Sequence, residues 1–107
     1  MGNYKRKTPV KNDCPIEAGL NVISGKWKIA ILCELNRGDC RLKDFEKYNP
    51  EATKRALTQQ LSELVSDGII QKKDFNEFPK KVEYSLTKRG ITLIPVLHVL
   101  GKFGEKL

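Results

Sequence analysis

The fold is decided by residues 53–68, which read TKRALTQQLSELVSDG. Their apolar side chains recur at i, i+4, i+7 and i+8, the spacing of one stripe on a helix: Leu57, Leu61, Leu64 and Val65. Thr53 can cap the start of such a helix, and Gly68 suits the position after its end. The spacing therefore predicts a helix from Thr53 to Asp67 that packs on a core through this stripe.

A basic and polar face lies opposite the apolar stripe, with Gln60 on its flank, and carries Lys54, Arg55, Thr58, Gln59 and Ser62. The chain from Thr53 to Ser62 contains no acid, although the helix macrodipole favours acids at a helix start. Arg can bond guanine and Gln can bond adenine bidentately, whereas Lys and Thr can hold phosphates. The face is therefore predicted to bind DNA; a plain solvated face is the alternative.

Three shorter helices are predicted upstream of this one. Pro15 suits the first position of a helix that ends at Ser24-Gly25. A second helix is predicted from Lys26 to Leu35, and Cys33 is expected to be buried in it. A third covers residues 42–48 and ends at Asn49-Pro50, because Pro disfavours helical geometry in the residue before it. Cys40 lies in the turn between the second and third helices, where partial exposure is expected.

A hairpin and a last helix are predicted downstream. Residues 69–74 have the composition of a strand, and residues 81–86 alternate between polar and apolar side chains as a strand does. Residues 75–80 are predicted to form the hairpin loop between them. Thr87 can cap a helix that runs towards Leu107. The hairpin carries four lysines that are expected to contact the DNA backbone or the minor groove, with protection of exposed strand edges as the alternative: Lys72, Lys73, Lys80 and Lys81.

The order helix, helix, short strand, helix, turn, helix, hairpin, helix is that of an α+β winged helix-turn-helix domain with additional N- and C-terminal dimerisation helices. In such a unit the second helix of the helix-turn-helix enters the major groove. The predicted DNA-binding residues are Thr53, Lys54, Arg55, Thr58, Gln59, Gln60, Lys72, Lys73, Lys80 and Lys81.

Charge and length agree with this fold class. The chain has 107 residues, the size of one domain, and a net charge of +7, which favours a polyanionic partner. Residues 1–13 are predicted to be a flexible basic arm or a solvated tail without a role, and residues 14–107 the domain. No apolar run approaches the roughly 18 residues of a membrane span, and the basic N-terminus lacks the apolar stretch of a secretory signal. A cytoplasmic protein without a membrane partner is therefore expected.

The chain resembles the HxlR family of winged-helix transcriptional regulators, relatives of the MarR-type repressors. The matching stretches are CPIEA (14–18), SGKWK (24–28), LTQQL (57–61), DGII (67–70) and KVEYSLT (81–87). The resemblance implies a dimeric DNA-binding regulator, often of a neighbouring gene for stress or detoxification. It also implies sensing of oxidants or electrophiles, since several members use a cysteine at the position of Cys14.

The last helix is apolar on more than one face, which a single domain core cannot cover. Pro95 removes one of its hydrogen bonds and is expected to bend it. A homodimer is therefore predicted, and a twofold dimer should bind an inverted-repeat operator. The predicted interface consists of Ile16, Leu20, Leu93, Val96, Leu97, Leu100 and Phe103.

Cys14 precedes Pro15 at the predicted start of the first helix. The helix dipole and the free N–H groups at such a position favour a thiolate, which is the form that oxidants attack. Cys14 is therefore predicted to be redox-sensing, with a small packed residue at the helix start as the alternative. A disulfide from Cys14 to Cys33 or Cys40 of either subunit stays open.

Other classes of function find little support in the sequence. The three cysteines and the single His98 lack metal-ligand spacing, so neither a metal nor a cofactor is predicted. No set of nucleophile, base and orienting residue can be named, so an enzyme is not expected. Trp27 is interpreted as core, or otherwise as the wall of a ligand pocket. An assembly module without DNA binding is the alternative function, and double-stranded RNA binding is a third.

Overall fold

The computed structural model describes residues 14–107. Within this range the elements are α1 (Pro15–Ile23), α2 (Lys28–Arg37), α3 (Leu42–Tyr48), α4 (Lys54–Ser66), β1 (Ile70–Asp74), β2 (Val82–Leu86) and α5 (Lys88–Gly104). This order confirms the predicted α+β winged helix-turn-helix, in which α3 and α4 form the helix-turn-helix and β1–β2 the wing. The predicted arm at residues 1–13 lies outside the described residues.

The wing is an antiparallel pair in which Ile70 faces Leu86 and Asp74 faces Val82. The short strand expected before α3 is a single bridge between Cys40 and Tyr84. The Cys40 N–H donates to the Tyr84 carbonyl at 3.1 Å, and the Tyr84 N–H donates to the Cys40 carbonyl at 2.7 Å. The bridge fastens the wing to the segment that leads into α3.

The core lies between α2, α3, α4 and the start of the wing. Its buried apolar side chains are Ile23, Ile31, Leu32, Leu35, Cys40, Phe45, Leu57, Leu61, Leu64, Ile69, Ile70 and Tyr84. The leucine stripe of α4 is thus confirmed, but Val65 is 36% exposed. The prediction was wrong for Val65, which lies beyond the three leucines that fill the space beneath α4.

The helix caps follow the predicted chemistry, whereas both ends of the second helix are shifted. Thr53 accepts from the Ala56 N–H at 3.0 Å, and Thr87 accepts from the Gly90 N–H at 3.1 Å, so both predicted caps are confirmed. Gly68 has a φ of +74° directly after α4, in the left-handed region that glycine adopts freely. The second helix begins at Lys28 and not at Lys26, and it ends at Arg37 and not at Leu35.

Two expectations about cysteines were wrong. Cys33 is exposed and Cys40 is buried. Ile31, Leu32 and Leu35 define the inner face of α2, and residue 33 falls on the opposite side of the helix. The bridge to Tyr84 carries Cys40 inward instead. Burial and the nearby Asp44, Glu34 and Asp39 carboxylates raise the pKa of the Cys40 thiol to about 11.

Candidate nucleic-acid interface

The outer face of α4 carries the polar side chains that were predicted to lie on one face of this helix. Buried leucines on the inner side hold the helix against α2 and α3, which leaves the opposite side to solvent. There Lys54, Arg55, Thr58, Gln59 and Ser62 line one shallow depression, and all five are exposed. The face offers both guanidinium and amide groups for base edges and an ammonium for phosphates.

A second, basic groove lies where α3, α4 and the wing meet. It has a volume of about 450 Å³ and is lined by Arg41, Leu42, Lys43, Glu46, Lys54, Lys80 and Val82. Four cations thus face one carboxylate. Its shared residue Lys54 also joins this groove to the α4 depression, so the two form one positive surface that suits a polyanion.

Arg41 and Lys43 are additions to the candidate site that the sequence reasoning missed. Arg41 caps α3 through its backbone N–H, which donates to Asp44 Oδ2 at 2.8 Å, and this fixes where the helix begins. Both cations therefore lie at the start of the first helix of the helix-turn-helix. Their position in that unit was the available signal, because the first helix crosses the DNA backbone.

Gln60 was predicted to bind DNA, but its side chain has a partner inside the protein. Its Oε1 accepts from the Trp27 N–H at 2.8 Å, and the residue is half-buried. Trp27 itself is half-buried and packs against the core, which agrees with the interpretation of Trp27 as a core residue. We therefore leave Gln60 out of the interface proposed below.

The wing lysines differ in their surroundings. Lys72, Lys73 and Lys80 are exposed and Lys81 is half-buried. The ammonium groups of Lys73 and Lys81 lie 4.9 and 4.5 Å from the ring centroid of Phe75, within the range of a cation–π contact.

Acidic neighbours offset part of this wing charge. Lys80 Nζ lies 3.7 Å from Asp74 Oδ2, and Lys81 Nζ lies 3.7 Å from Glu83 Oε2. Such partly exposed pairs are weak, so these lysines can exchange their carboxylates for phosphates.

The predicted dimer surface is divided by the structure. Ile16, Leu20, Val96, Leu100 and Phe103 are exposed, whereas Leu93 and Leu97 pack partly against the chain's own core. Ile91 and Val99 of α5 are also exposed. The two end helices therefore leave most of their large apolar side chains to solvent in a single chain.

Cys14 is half-buried and free at the N-cap of α1. Its carbonyl accepts the Ala18 N–H at 3.1 Å, so the first turn of α1 starts at this residue as predicted.

Metal and membrane features are not found in the part of the chain that the structure describes. Within residues 14–107, no group of three His, Cys, Asp or Glu side chains is placed to hold a metal ion. No helix in the same range has the length and apolar character needed to cross a membrane.

The fold and the positive surface on α4 define a DNA-binding protein of the winged-helix class. Residues 22–107 match the family described as HxlR-like helix-turn-helix. The chain therefore belongs to the HxlR family of helix-turn-helix transcriptional regulators, as its motifs predicted.

Individual relatives agree with this assignment. The HTH-type transcriptional regulator YybR of Bacillus subtilis (strain 168) is 41% identical over 105 residues, which cover 98% of this chain and 84% of the relative. The redox regulator HypR, in its reduced form, is 41% identical with a TM-score of 0.83, over 87% of this chain and 92% of the HypR chain. Diamide-treated YodB from B. subtilis is 26% identical with a TM-score of 0.77, over 91% and 97% of the two chains.

Proposed function

We propose that this chain regulates transcription as a homodimer that reads an inverted-repeat operator with α4. The observation that carries the proposal is the acid-free outer face of α4, where Arg55 and Gln59 lie exposed beside the groove that Lys54 shares with Arg41 and Lys80. An assembly module has no need of such a face. The place of action is then the cytoplasm of the cell, where the DNA lies, and the activity is regulation and not catalysis.

Arg55 and Gln59 are assigned to contacts with base edges. The neighbouring Thr53, Lys54 and Thr58 are assigned to contacts with phosphates. Thr58 donates its hydroxyl to the Lys54 carbonyl at 2.8 Å, so its oxygen keeps free acceptor capacity while the side chain stays close to the helix. The α3 cations and the wing lysines are assigned to the DNA backbone on either side: Arg41, Lys43, Lys72, Lys73, Lys80 and Lys81.

Substitutions in the two groups should change DNA binding in different ways. Arg55→Ala or Gln59→Ala is expected to cost about 1–3 kcal/mol of discrimination between the operator and random DNA. Lys43→Ala or Lys80→Ala is expected to weaken binding to all sequences and to reduce the salt slope by about 1. The measurement is the dissociation constant at several salt concentrations, for a duplex selected from a randomised pool by the wild-type protein and for a random duplex.

Arg37→Ala is the matched control, because Arg37 is exposed and lies outside both grooves. It should leave discrimination and salt slope near the wild-type values. The assignment of roles is contradicted if the wing variants alter sequence preference while the α4 variants do not.

The homodimer is proposed from the exposed apolar side chains of α1 and α5. Burial of such a surface stabilises by about 25 cal/mol per Å², and a second copy is the partner that a twofold operator requires. The described helix α5 ends in Phe103-Gly104, with its exposed side chains spread over several turns.

A charge placed in this surface should prevent the dimer from forming. Leu100→Glu is expected to shift the protein from dimer to monomer at micromolar concentration, because the carboxylate would lose its water on association. Sedimentation velocity gives the measurement. Lys102→Glu, at an exposed position that is already polar, is the control; a wild-type protein that sediments as a stable monomer would contradict the proposal.

We further propose that oxidants or electrophiles regulate the protein through Cys14. Support comes from its place at the N-terminus of α1 and from the similarity to the redox regulator HypR and to YodB, whose structure is known after diamide treatment. α1 also carries Ile16 and Leu20 of the proposed interface, so modification of Cys14 would disturb the dimer. Cys33 is the accessible candidate for a disulfide partner, since Cys40 is buried and its thiol donates to the Gly38 carbonyl at 3.3 Å.

Diamide should lower or alter operator binding of the wild-type protein, and dithiothreitol should restore it. Cys14→Ser is expected to bind the operator without responding to diamide. Cys40→Ser is the control and should respond like the wild type, because a thiol with a pKa of about 11 is hardly ionised near pH 7. Mobility shifts on the selected duplex give the measurement. A full response in Cys14→Ser would place the sensor elsewhere, and a wild type that never responds would leave Cys14 a structural residue.

A further inference from the structure

Two polar contacts tie the inner flank of α4 to the start of α2. Lys28 Nζ lies 2.7 Å from Glu63 Oε1, and the two side chains are only 2% and 5% exposed. One helical turn earlier, Gln60 Oε1 accepts from the Trp27 N–H at 2.8 Å. We call these four residues, together with Gly25, the α2–α4 joint.

Gly25 lets the two helices come this close. A Cβ atom at this position would lie 3.0 Å from Gln60 Oε1 and 3.1 Å from Lys28 Cδ. Both are tighter than ordinary van der Waals contacts, so a larger residue at position 25 would require the side chains of Gln60 and Lys28 to shift. The Ser24-Gly25 turn, Trp27 and Lys28 thus form one surface against which α4 is seated.

Stability alone does not explain a buried ion pair at this place. Replacing such a pair by apolar residues of similar volume is often neutral or stabilising, and three leucines already hold α4 to the core. Leucine packing is non-directional, whereas a hydrogen bond requires a defined distance and angle. The joint therefore adds a constraint on the rotation of α4 that the apolar stripe lacks.

Rotation of α4 matters because its outer face reads DNA in the function proposed above. Turning a helix by about 20° moves a side-chain tip at its surface by about 2 Å, which exceeds the tolerance of a bidentate hydrogen bond. We propose that Lys28, Glu63 and Gln60 are positioning residues for base recognition. They set the discrimination between operator and random DNA without touching either.

Gln60 offers the sharpest test, because one variant removes its acceptor and another keeps it. Gln60→Met lacks the oxygen that holds the Trp27 N–H, whereas Gln60→Glu retains it. The measured quantity is the ratio of dissociation constants for the random duplex and for a duplex selected by the wild-type protein. Gln60→Met is expected to lower this ratio by about three- to thirtyfold, and Gln60→Glu to keep it near the wild-type value.

Two results with these variants would overturn the proposal. One is a wild-type ratio in Gln60→Met. The other is a ratio for Gln60→Glu that lies closer to that of Gln60→Met than to that of the wild type, since this is expected if the Gln60 amide itself reads a base.

The ion pair is tested by the double variant Lys28→Met/Glu63→Met, which removes both charges together. It is expected to resist urea at least as well as the wild type and still to lose discrimination by a similar factor. A folded double variant with the wild-type ratio would remove the ion pair from the proposal. A wild-type protein that binds neither duplex at low salt would instead contradict the DNA-binding function on which this inference rests.

Discussion

Replacing Glu63 by Leu is expected to lower the free energy of unfolding by about 3–5 kcal/mol. The change leaves the ammonium of Lys28 without the carboxylate that lies 2.7 Å away, while Lys28 remains only 1% exposed. An unpaired charge in that environment is far more costly than the pair is favourable. Urea denaturation at one fixed protein concentration gives the measurement, since a dimer's stability depends on concentration.

A surface pair is the matched control for this variant. Glu83→Leu breaks the contact with Lys81, in which both side chains are about a third exposed, and it should cost less than about 1 kcal/mol. Restoring neutrality with Lys28→Met in the Glu63→Leu background should recover most of the loss. A cost below about 1 kcal/mol for Glu63→Leu would mean that water or a rearrangement reaches Lys28, and the joint would then not be rigid.

Local patterns in the sequence were sufficient to predict the helices and strands of the fold. The leucines of α4 follow helical spacing, and Thr53 and Thr87 accept the backbone hydrogen bonds expected of caps. In β2, apolar Val82, Tyr84 and Leu86 alternate with polar residues. These signals act within a few residues of each other. They depend on the geometry of one helix or one hairpin, so they can be recognised without knowing which other element packs against it.

The errors arose where a residue's surroundings depend on a distant segment. Cys33 was expected to be buried because its neighbours are apolar, yet it faces away from Ile31 and Leu32. Cys40 was expected to be partly exposed in a turn, but pairing with Tyr84, 44 positions later, buries it. Composition gives the average burial of a segment and not the direction in which one side chain points.

In the candidate DNA interface, too, some features follow from local sequence and others depend on distant segments. The outer face of α4 follows from its own sequence, since the residues opposite the leucines must face solvent. The local pattern around Lys28 does not indicate that its charged side chain lies in the interior, where it meets Glu63. Gln60 was predicted to bind DNA because it borders the predicted DNA-binding face of α4, and only the folded chain brings the Trp27 N–H to its oxygen. Arg41 joins the basic groove through packing of α3 beside the wing.

The contacts of α5 beside the wing connect the proposed dimer surface to the proposed DNA-binding surface. The Thr87 hydroxyl lies 2.6 Å from the Gly68 carbonyl and 3.0 Å from the Ile69 carbonyl, while the Thr87 N–H donates to the Ile69 carbonyl at 3.1 Å. The first turn of α5 is therefore anchored to the chain that directly follows α4. In the homodimer proposed above, the direction in which α5 leaves this anchor would set the distance between the two recognition helices.

Gly90→Ala is expected to lower the free energy of unfolding by about 3 kcal/mol or more. Gly90 is buried in the first turn of α5, and a Cβ atom there would clash with the backbone carbonyl oxygen of Ile69. The backbone cannot rotate aside as a flexible side chain can, so α5 must tilt away from Ile69 and lose part of its anchor at Thr87. Operator binding should fall with it, because the tilt changes the spacing of the recognition helices.

Gly101→Ala in the same helix is the matched control. A Cβ at Gly101 would have nothing within 4 Å in the single chain, and alanine is favoured over glycine in a helix interior by about 1 kcal/mol. The change in the free energy of unfolding should thus be opposite in sign for the two variants when both are measured by urea denaturation at equal protein concentration. If Gly90→Ala were as stable as the wild type and bound the operator equally well, α5 would have room to move at this contact. The anchor would then not determine the geometry of the dimer.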